Sequence, residues 1–327
     1  MAQTNFDIPQ KSILLICPHF YAYHKKIGSV LEEKGWKVYY KNEVPFNYSN
    51  LYYYIINLLP FLKKFLWSFY ARSIRELISK NHIKDALIIR GLSLPESLVE
   101  KIIKEYGVRL VNYQWDSVKN NPNALVFAKY AVKIYSFDMQ DSKRYGFEYL
   151  PLFYDWSDVI IEEEQKTDLL FIASWAEHRL EMADCIYNIC ANSGLTCYIY
   201  IYAPFFSILK KMILREKCWA KGIHFSTMPR NKYASLLANT KIVIDMPSPS
   251  QVGSTMRTIE SLSMNKKLFT TNKNIVNESF YNAANIVVLQ NNVVDEYLIG
   301  ETLNSSFDDS KNDSLNTIYT WLSKMGF

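Results

Sequence analysis

The sequence predicts an α/β fold in which two Rossmann-like domains follow each other along the chain. Short apolar runs alternate with amphipathic segments through most of the 327 residues, which is the pattern of parallel sheets covered by helices. Runs such as SILLICP and DALIIRG are apolar almost throughout, as expected of strands that are buried on both faces. One charged stretch without a period, SDVIIEEEQKT, interrupts the alternation, and the length also favours two domains.

The first domain is predicted to span residues 1–155. Helices are predicted at KKIGSVLEEKG, PESLVEKIIKEYG and DSKRYG, and the second of these has Pro95 at its start and Gly107 at its end. The predicted strands, in chain order, are SILLICP, WKVYYKNE, DALIIRG, VRLVNYQWDS, KIYSFD and FEYLPLFY.

Residues 156–167 are predicted to form a linker, and a second domain over residues 168–310 repeats the alternation. Its predicted strands are DLLFIAS, TCYIYIY, GIHFSTM, KIVIDMP and KKLFTTN. Its predicted helices are HRLEMADCIYNICANSG, PFFSILKKMILREKCW, NKYASLLANT and MRTIESLSMN. The tail, residues 311–327, ends in an amphipathic helix whose apolar face must be buried, and we expect it to return to the first domain. A cleft is expected between the two domains.

The composition argues against several classes of protein. Hydrophobic residues make up 49% of the chain and charged residues 21%, so the chain can bury a core and is not disordered. The net charge of +5 lacks the dense basic stripe of a nucleic-acid-binding protein, and no nucleic-acid partner is expected. No G-x-G-x-x-G follows the first predicted strand, which argues against a classical dehydrogenase.

The cysteines and the apolar segments indicate a reducing compartment. The five cysteines form no C-x-x-C pair and have no histidine at metal-ligand spacing, so they are interpreted as reduced core thiols. The N-terminal segment MAQTNFDIPQKS lacks the apolar core of a signal peptide. The most apolar segment, residues 51–70, is interrupted by Pro60, Lys63 and Lys64, so no bilayer span is predicted. The expected location is the cytoplasm.

Residues 248–272, SPSQVGSTMRTIESLSMNKKLFTTN, carry the most informative pattern: a polar loop, a helix and a strand. The N–H groups at a helix start are free and carry partial positive charge, which suits an anion. Gly253 allows a phosphate to approach the backbone. Ser254 and Thr255 can cap the helix or donate to phosphate oxygens, and Arg257 adds a cation with bidentate geometry.

Glu260 lies nearly one turn after Arg257 and can either accept hydrogen bonds from ribose hydroxyls or form an ion pair with Arg257. RTIESLSMNKKLFTTN resembles the donor-site helix of GT-B glycosyltransferases, in which a Glu opens an E-x-x-[AS]-x-[GN]-x-x-[VL]-[IF] pattern. The resemblance implies that Glu260 holds the ribose, with Asn265 where many members have glycine. Many retaining members carry an acidic residue seven positions before this Glu; Gly253 stands there, so the stereochemistry stays open.

The resemblance covers about residues 12–288. YQWDS, SFDMQD and LPLFYDW are similar to motifs of bacterial lipopolysaccharide and capsule biosynthesis proteins of this class. It implies that Ser174 and Arg179 meet the donor diphosphate, although a capping serine and a solvated arginine are alternatives. The implied contacts to the nucleotide base are Met228, Pro229 and Tyr233. The implied donor residues of the loop and helix are Gln251, Gly253, Ser254, Thr255, Met256, Arg257, Thr258 and Glu260.

The first domain is expected to hold the acceptor and, if the reaction inverts, a general base. The candidates follow predicted strands and face the expected cleft: Asp116, His19, His24 and Asp138. Asp116 could instead cap a helix, and the two histidines could be structural. Asp138 and Asp141 form a D-x-x-D pair, a spacing that differs from the metal-binding D-x-D of single-domain glycosyltransferases. Because arginines are expected at the diphosphate, no metal and no cofactor are expected; the nucleotide sugar is a substrate.

These features together predict a glycosyltransferase that moves a sugar from a nucleotide-sugar donor to a growing surface glycan, of the lipopolysaccharide, O-antigen or capsule type. A sugar-nucleotide epimerase, a polyol-phosphate transferase and a non-catalytic nucleotide-sugar-binding subunit are the alternatives. The basic and aromatic segments LLPFLKKFLWSFYARSIREL and FFSILKKMILREKCW are helices that either contact the inner membrane and a lipid-linked acceptor or pack on the sheets.

Overall fold

The computed structural model of the chain describes residues 11–19, 22–45, 60–92, 94–130, 132–163, 166–214, 219–249 and 251–327. The chain divides into two compact units. The first unit consists of Met1–Pro151 together with Ile318–Phe327, and the second consists of Leu152–Thr317. Each unit contains a six-stranded sheet whose paired strands are parallel. The predicted α/β fold with two Rossmann-like domains is confirmed.

The sheet of the first unit has the strand order β2-β1-β3-β4-β5-β6. Its strands are β1 (Ser12–Ile16), β2 (Lys37–Lys41), β3 (Asp85–Ile89), β4 (Arg109–Gln114), β5 (Lys133–Ser136) and β6 (Glu148–Tyr149). The apolar run of β3 is buried from Ala86 to Ile89, because helices cover both faces of a parallel sheet.

The helices among the described residues of this part of the chain are α1 (Tyr23–Glu33), α2 (Pro60–Asn81), α3 (Glu96–Lys104), α4 (Ala124–Ala128) and α5 (Met139–Tyr145). The longest of them, α2, has 22 residues and buries Tyr70, Ile74 and Ile78 at a spacing of four residues. This spacing places the three side chains on one helical face, which packs into the core of the sheet. The expected helical state of this segment is therefore observed over residues 60–81.

The sheet of the second unit has the order β10-β9-β8-β11-β12-β13, and a two-stranded sheet pairs β7 with β14. The strands are β7 (Phe153–Tyr154), β8 (Thr167–Ser174), β9 (Cys197–Tyr202), β10 (Ile223–His224), β11 (Thr240–Asp245), β12 (Lys267–Thr270), β13 (Ile286–Val288) and β14 (Asn316–Thr317). The helices are α6 (Glu177–Ser193), α7 (Phe205–Ile213), α8 (Arg230–Ala238), α9 (Met256–Ser263) and α10 (Glu296–Asn304). Short 3₁₀ turns lie at Lys273–Asn277, Gln290–Asn292 and Asn312–Ser314.

The last helix, α11 (Ile318–Lys324), belongs to the first unit. Its Trp321 is fully buried and meets the ring of Tyr113 of β4 edge to face, with ring centroids 4.6 Å apart. Lys34, which follows α1, donates to the hydroxyl of Ser323 over 2.8 Å. The aromatic contact buries the apolar face of the terminal helix, and the hydrogen bond holds its exposed side.

Four cysteines, Cys17, Cys185, Cys190 and Cys197, are free thiols, and Cys218 lies outside the described residues. Among the described residues, no helix combines the length and the apolar character that a bilayer crossing requires.

Candidate functional site

Both sheets have a topological switch point, where the chain leaves one strand for its neighbours on opposite sides. In the first unit it lies between β1 and β3, and in the second between β8 and β11. Loops after the carboxyl ends of such strands diverge and leave a crevice, which is where open α/β sheets bind ligands. Ligand binding is therefore expected at these two places.

At the switch point of the second sheet, the carboxylate of Asp245 collects donors from α9. Asp245 ends β11 and is 1% exposed. Its Oδ1 accepts from Nη1 of Arg257 over 2.9 Å, and its Oδ2 accepts from the hydroxyls of Thr255 and Thr258 over 2.6 and 2.9 Å. Asp245 thus fixes the first turn of α9. Asp245 was not among the residues predicted from the sequence, although it ends the apolar run KIVID.

The start of α9 is capped by a side chain. Thr255 is the N-cap residue, and its hydroxyl oxygen accepts from the N–H of Thr258 over 3.1 Å. Met256 follows as the first helical residue. The cap satisfies one of the N–H groups at the helix start, which have no acceptor within the helix itself.

That loop is held by its own polar contacts. Gln251 donates to the carbonyl of Gly253 over 3.1 Å, and Asn272 donates to the carbonyl of Val252 over 3.0 Å. The buried hydroxyl of Ser254 donates to Glu278 over 3.3 Å. In this arrangement Ser254 anchors the loop, and the sequence-based expectation that it contacts phosphate stays a prediction.

Arg257 keeps hydrogen-bonding capacity beyond its ion pair. Burial opposes the charge of Arg257, but the Asp245 carboxylate, with smaller contributions from Tyr233 and Glu260, raises its pKa on balance. The Nε of Arg257 is buried and has no hydrogen-bond partner in the part of the chain that the structure describes. A buried donor without an acceptor is costly, and an anionic oxygen is the group that would satisfy it.

Ser174 and Arg179 come together beside this cluster. Ser174 ends β8, Arg179 lies in the first turn of α6, and the guanidinium Nη1 donates to the Ser174 hydroxyl oxygen over 2.5 Å. The Nε of Arg179 donates to the carbonyl of Met246, the residue after Asp245, over 3.0 Å. Burial and the nearby charge of Arg257 lower the pKa of Arg179. The two arginines therefore repel each other across the switch point, with Asp245 as the carboxylate close to both.

Glu260 does not pair with Arg257, so that alternative from the sequence analysis is wrong. Its buried carboxylate accepts instead from Nη1 of Arg230, the first residue of α8, over 2.5 Å. Arg230 lies over the ring of Trp156 at 4.5 Å and donates to the carbonyl of Asp155 over 3.2 Å. The helix geometry explains the difference, because Arg257 is drawn to Asp245 at the strand end while Glu260 faces α8.

The three residues proposed at the nucleotide base lie close to this ion pair. Pro229 is the N-cap residue of α8, Met228 before it is buried, and Tyr233 lies one turn further, with Arg230 5.6 Å from its ring. Burial and then the charge of Glu260 raise the pKa of Tyr233. Base-contact candidates and the ribose candidate are thus neighbours in space, while Arg230 was missed by sequence reasoning.

A cavity of about 490 Å³ opens at the carboxyl edge of the second sheet. Met246 and Gln251 line it, as do Thr271 after β12 and His178, the neighbour of Arg179. Burial and then the charge of Arg179 lower the pKa of His178, whose Nε2 is buried without a hydrogen-bond partner among the described residues. The remaining lining residues are Pro247, Ser248, Pro249, Asn272, Lys273, Asn274, Asn291 and Asn292, so the described part of the lining holds no carboxylate.

At the switch point of the first sheet, Arg90 joins two carboxylates. Arg90 follows β3, adopts the left-handed conformation with φ 65°, and donates through Nη2 and Nε to the buried Glu43. Its Nη1 donates to Asp116 over 3.2 Å. Asp116 is the one of these acidic groups with a substantially exposed side chain, and Arg90 fixes its orientation. Arg90 and Glu43 were not identified from the sequence.

The two histidines of the first unit form one aromatic group. His19 is exposed and meets His24 edge to face at 4.4 Å, and His24 is buried and stacks on Tyr40 at 4.7 Å. Burial, together with the charges of His19 and Lys25, lowers the pKa of His24.

Asp138 has a structural task. It is buried and caps α5, accepting from the N–H groups of Gln140 and Asp141 over 2.9 and 3.1 Å. Asp141 accepts from the N–H of Val118 over 2.6 Å. Among the described residues, no group of three or more His, Cys, Asp or Glu has the arrangement of a metal site.

Solved structures share this architecture over nearly the whole chain. Sucrose-phosphate synthase from Thermosynechococcus elongatus superposes with a TM-score of 0.62 and is 8% identical, with 97% of both chains covered. The S. aureus MnaA–UDP complex gives 0.58 at 8% identity over 93% of both chains. UDP-GlcNAc 2-epimerase from Neisseria meningitidis, bound to UDP-GlcNAc, gives 0.56 at 9% identity over 96% of this chain and 99% of that one.

Glycosyltransferases are also among the similar structures. The likeness at these identities is one of fold: each unit has a Rossmann-like parallel sheet, as in GT-B proteins. No protein-family model matches the sequence, and no curated protein is similar to it.

Proposed function

We propose that this protein is a glycosyltransferase that binds the diphosphate of a nucleotide sugar at the switch point of its second sheet. The observation that carries the proposal is the pair of arginines there. Arg179 and Arg257 come from different helices, and one carboxylate, Asp245, stands against two guanidinium groups. The cluster therefore keeps a net positive charge beside a helix start, and a diphosphate would relieve the repulsion between the arginines.

The nucleoside would extend toward α8. Arg230 holds the Glu260 carboxylate in place, so that it can accept hydrogen bonds from ribose hydroxyls without first losing side-chain freedom. Met228, Pro229 and Tyr233 lie next to that carboxylate and supply apolar and aromatic surface for a base. The cavity lined by His178 and Gln251 would receive the sugar, because its hydroxyl and amide lining suits a polyhydroxylated ligand.

The acceptor hydroxyl would lose its proton to a group of the first unit. Asp116 is the first candidate, since its carboxylate is exposed and Arg90 orients it. His19 is the second, because its ring is exposed while His24 is buried. The two arginines of the second unit would stabilise the negative charge of the leaving diphosphate, and we propose that no metal is needed. The acceptor is proposed to be a surface glycan, on the strength of the resemblance of YQWDS, SFDMQD and LPLFYDW to lipopolysaccharide and capsule biosynthesis proteins.

Titration calorimetry with UDP and the other common nucleoside diphosphates tests the donor site. Arg257→Ala removes a charge-assisted hydrogen bond worth about 1.5–3 kcal/mol, so the affinity for the matching diphosphate should fall about ten- to a hundredfold. Arg257→Lys should restore only part of it, because an ammonium lacks the guanidinium fork. Glu260→Ala should weaken binding of the free nucleoside too, since its proposed partner is the ribose.

The matched control is Arg144→Ala, which removes an exposed arginine of α5 and should leave the affinity unchanged. Folding of each variant is checked by circular dichroism and thermal melting. If the folded Arg257 and Glu260 variants bind every diphosphate as the unaltered protein does, the donor site lies elsewhere and the proposal is wrong.

A sugar-nucleotide 2-epimerase is the second candidate. It is favoured by the full-length likeness to the MnaA–UDP complex and to the UDP-GlcNAc 2-epimerase bound to UDP-GlcNAc. Both reactions would use the same diphosphate site, so binding does not separate them. Incubation with UDP-GlcNAc, followed by chromatography and proton NMR of the products, separates the two reactions. An epimeric nucleotide sugar identifies the epimerase, whereas slow release of UDP without an epimer identifies the transferase.

A further inference from the structure

The exposed face of α2 carries a row of aromatic side chains. Phe61, Phe65 and Phe69 are 77%, 62% and 67% exposed, and their spacing of four residues places them along one side of the helix. The opposite side buries Tyr70 and Ile74 in the core. Three large apolar side chains exposed in a row are unusual for a soluble surface and indicate an interaction site.

The same face becomes basic in its second half. Arg72 and Arg75 follow the phenylalanine row, and both line a shallow recess of about 790 Å³ together with Lys80 and Tyr106. Glu76 is the acidic residue of this lining, and it pairs with Arg72 over 2.8 Å while both side chains stay largely exposed. The sequence of the whole helix contains five lysines and arginines and one glutamate.

We infer that α2 docks the protein on an anionic lipid bilayer. The phenylalanine row, Phe61, Phe65 and Phe69, would enter the boundary between headgroups and acyl chains, while Arg72, Arg75 and Lys80 contact lipid phosphates. The charge of the helix decides for this occupant: a second copy of the chain would bring the same excess of cations to the interface, and an anionic membrane brings the opposite charge. This inference does not rest on the proposed transferase activity.

Vesicle co-sedimentation of the full chain tests the inference, with vesicles of phosphatidylcholine alone and of phosphatidylcholine mixed with phosphatidylglycerol. The protein should sediment with the anionic vesicles at low salt, less at high salt, and not with the neutral ones. Replacing Phe61, Phe65 and Phe69 together by serine should weaken binding at least about tenfold. Arg72→Glu combined with Arg75→Glu should abolish the preference for anionic vesicles.

Two controls match these changes in exposure and charge. Tyr297→Ser alters a residue that is also 77% exposed, on the acidic helix α10, and should bind as the unaltered protein does. Lys143→Glu with Lys311→Glu reverses two exposed charges outside α2 and should have little effect. Arg75 is half-buried and the other altered side chains are exposed, so folding should be retained, and thermal melting of each variant checks this.

Absence of binding to anionic vesicles, or equal binding by the α2 variants, would overturn the inference. Sedimentation velocity covers the remaining case. If the unaltered protein is a dimer that binds no vesicles, and the phenylalanine variant is a monomer, this face is a contact between copies of the chain. That result would equally overturn membrane docking.

Discussion

Replacement of Asp245 by alanine should destabilise the second unit strongly. The carboxylate is almost completely buried and accepts from one guanidinium and two hydroxyl groups of α9. Loss of one partner of a buried ion pair costs about 3–5 kcal/mol. The Arg257 side chain is 24% exposed, so water can solvate part of the freed charge, and we expect the lower end, about 3 kcal/mol.

The expected change can be read from thermal and urea unfolding. For a cooperative unit of the size of residues 152–317, a loss of about 3 kcal/mol lowers the melting temperature by about 6–12 °C. Asp313→Ala, at an exposed carboxylate of the same unit, is the control and should change the unfolding free energy by less than about 0.5 kcal/mol.

A double-mutant cycle isolates the ion pair. Asp245→Ala should lower the free energy of unfolding less in the Arg257→Met background than alone, because methionine leaves no buried charge without a partner. The coupling free energy should be about 1.5–3 kcal/mol. The free energy of unfolding of Asp245→Ala could lie within about 0.5 kcal/mol of that of the unaltered protein, or the effects of the two changes could be additive. Either result would show that Asp245 does not organise the start of α9 and would refute the reasoning from burial and hydrogen bonding.

Two further predictions concern the backbone and pH. Gly222 has φ +84°, and a Cβ there would lie 2.5 Å from the carbonyl oxygen of Ile199, so Gly222→Ala should lower the free energy of unfolding in urea by about 3 kcal/mol or more. Gly194 has φ +67° with open space around it, so Gly194→Ala should lower it by about 1 kcal/mol. Equal losses for the two variants would contradict the close approach at Gly222. The pKa of His24 is lowered in the fold, so its neutral form stabilises the protein fully above its unfolded pKa of about 6.5, and this contribution is lost as pH falls below that value. His24→Phe should therefore flatten the decline in unfolding free energy between about pH 8 and 5. An unchanged slope would refute the assignment of this pH dependence to His24.

The strand and helix pattern determined the architecture. Apolar runs such as DALIIRG and KIVIDMP identified buried parallel strands, because a strand covered on both faces has no polar side to interrupt the run. Thr255 was among the residues expected to cap the helix after the SPSQVGST loop, because a hydroxyl before a helical segment offers an acceptor to its first N–H groups. These signals are local, and a single sequence contains them.

Pairing of the charged side chains was decided only by the tertiary structure. Spacing along the helix allowed Arg257 to pair with Glu260, but Arg257 lies against Asp245 and Glu260 against Arg230. Both observed pairs join residues of different elements, and they depend on which side of α9 faces the strand end and which faces α8. In the first unit, the pairing of Arg90 was likewise decided by the tertiary structure, because its guanidinium links Glu43 to Asp116.

The physical reason lies in the geometry of a parallel sheet. Its carboxyl edge brings together strand ends that are far apart in the sequence, such as Ser174 at the end of β8 and Asp245 at the end of β11. Periodicity predicts that each strand exists, but the order of the strands decides which loops become neighbours. The residues at strand ends were therefore visible from the sequence, whereas their partners followed from the order β10-β9-β8-β11-β12-β13.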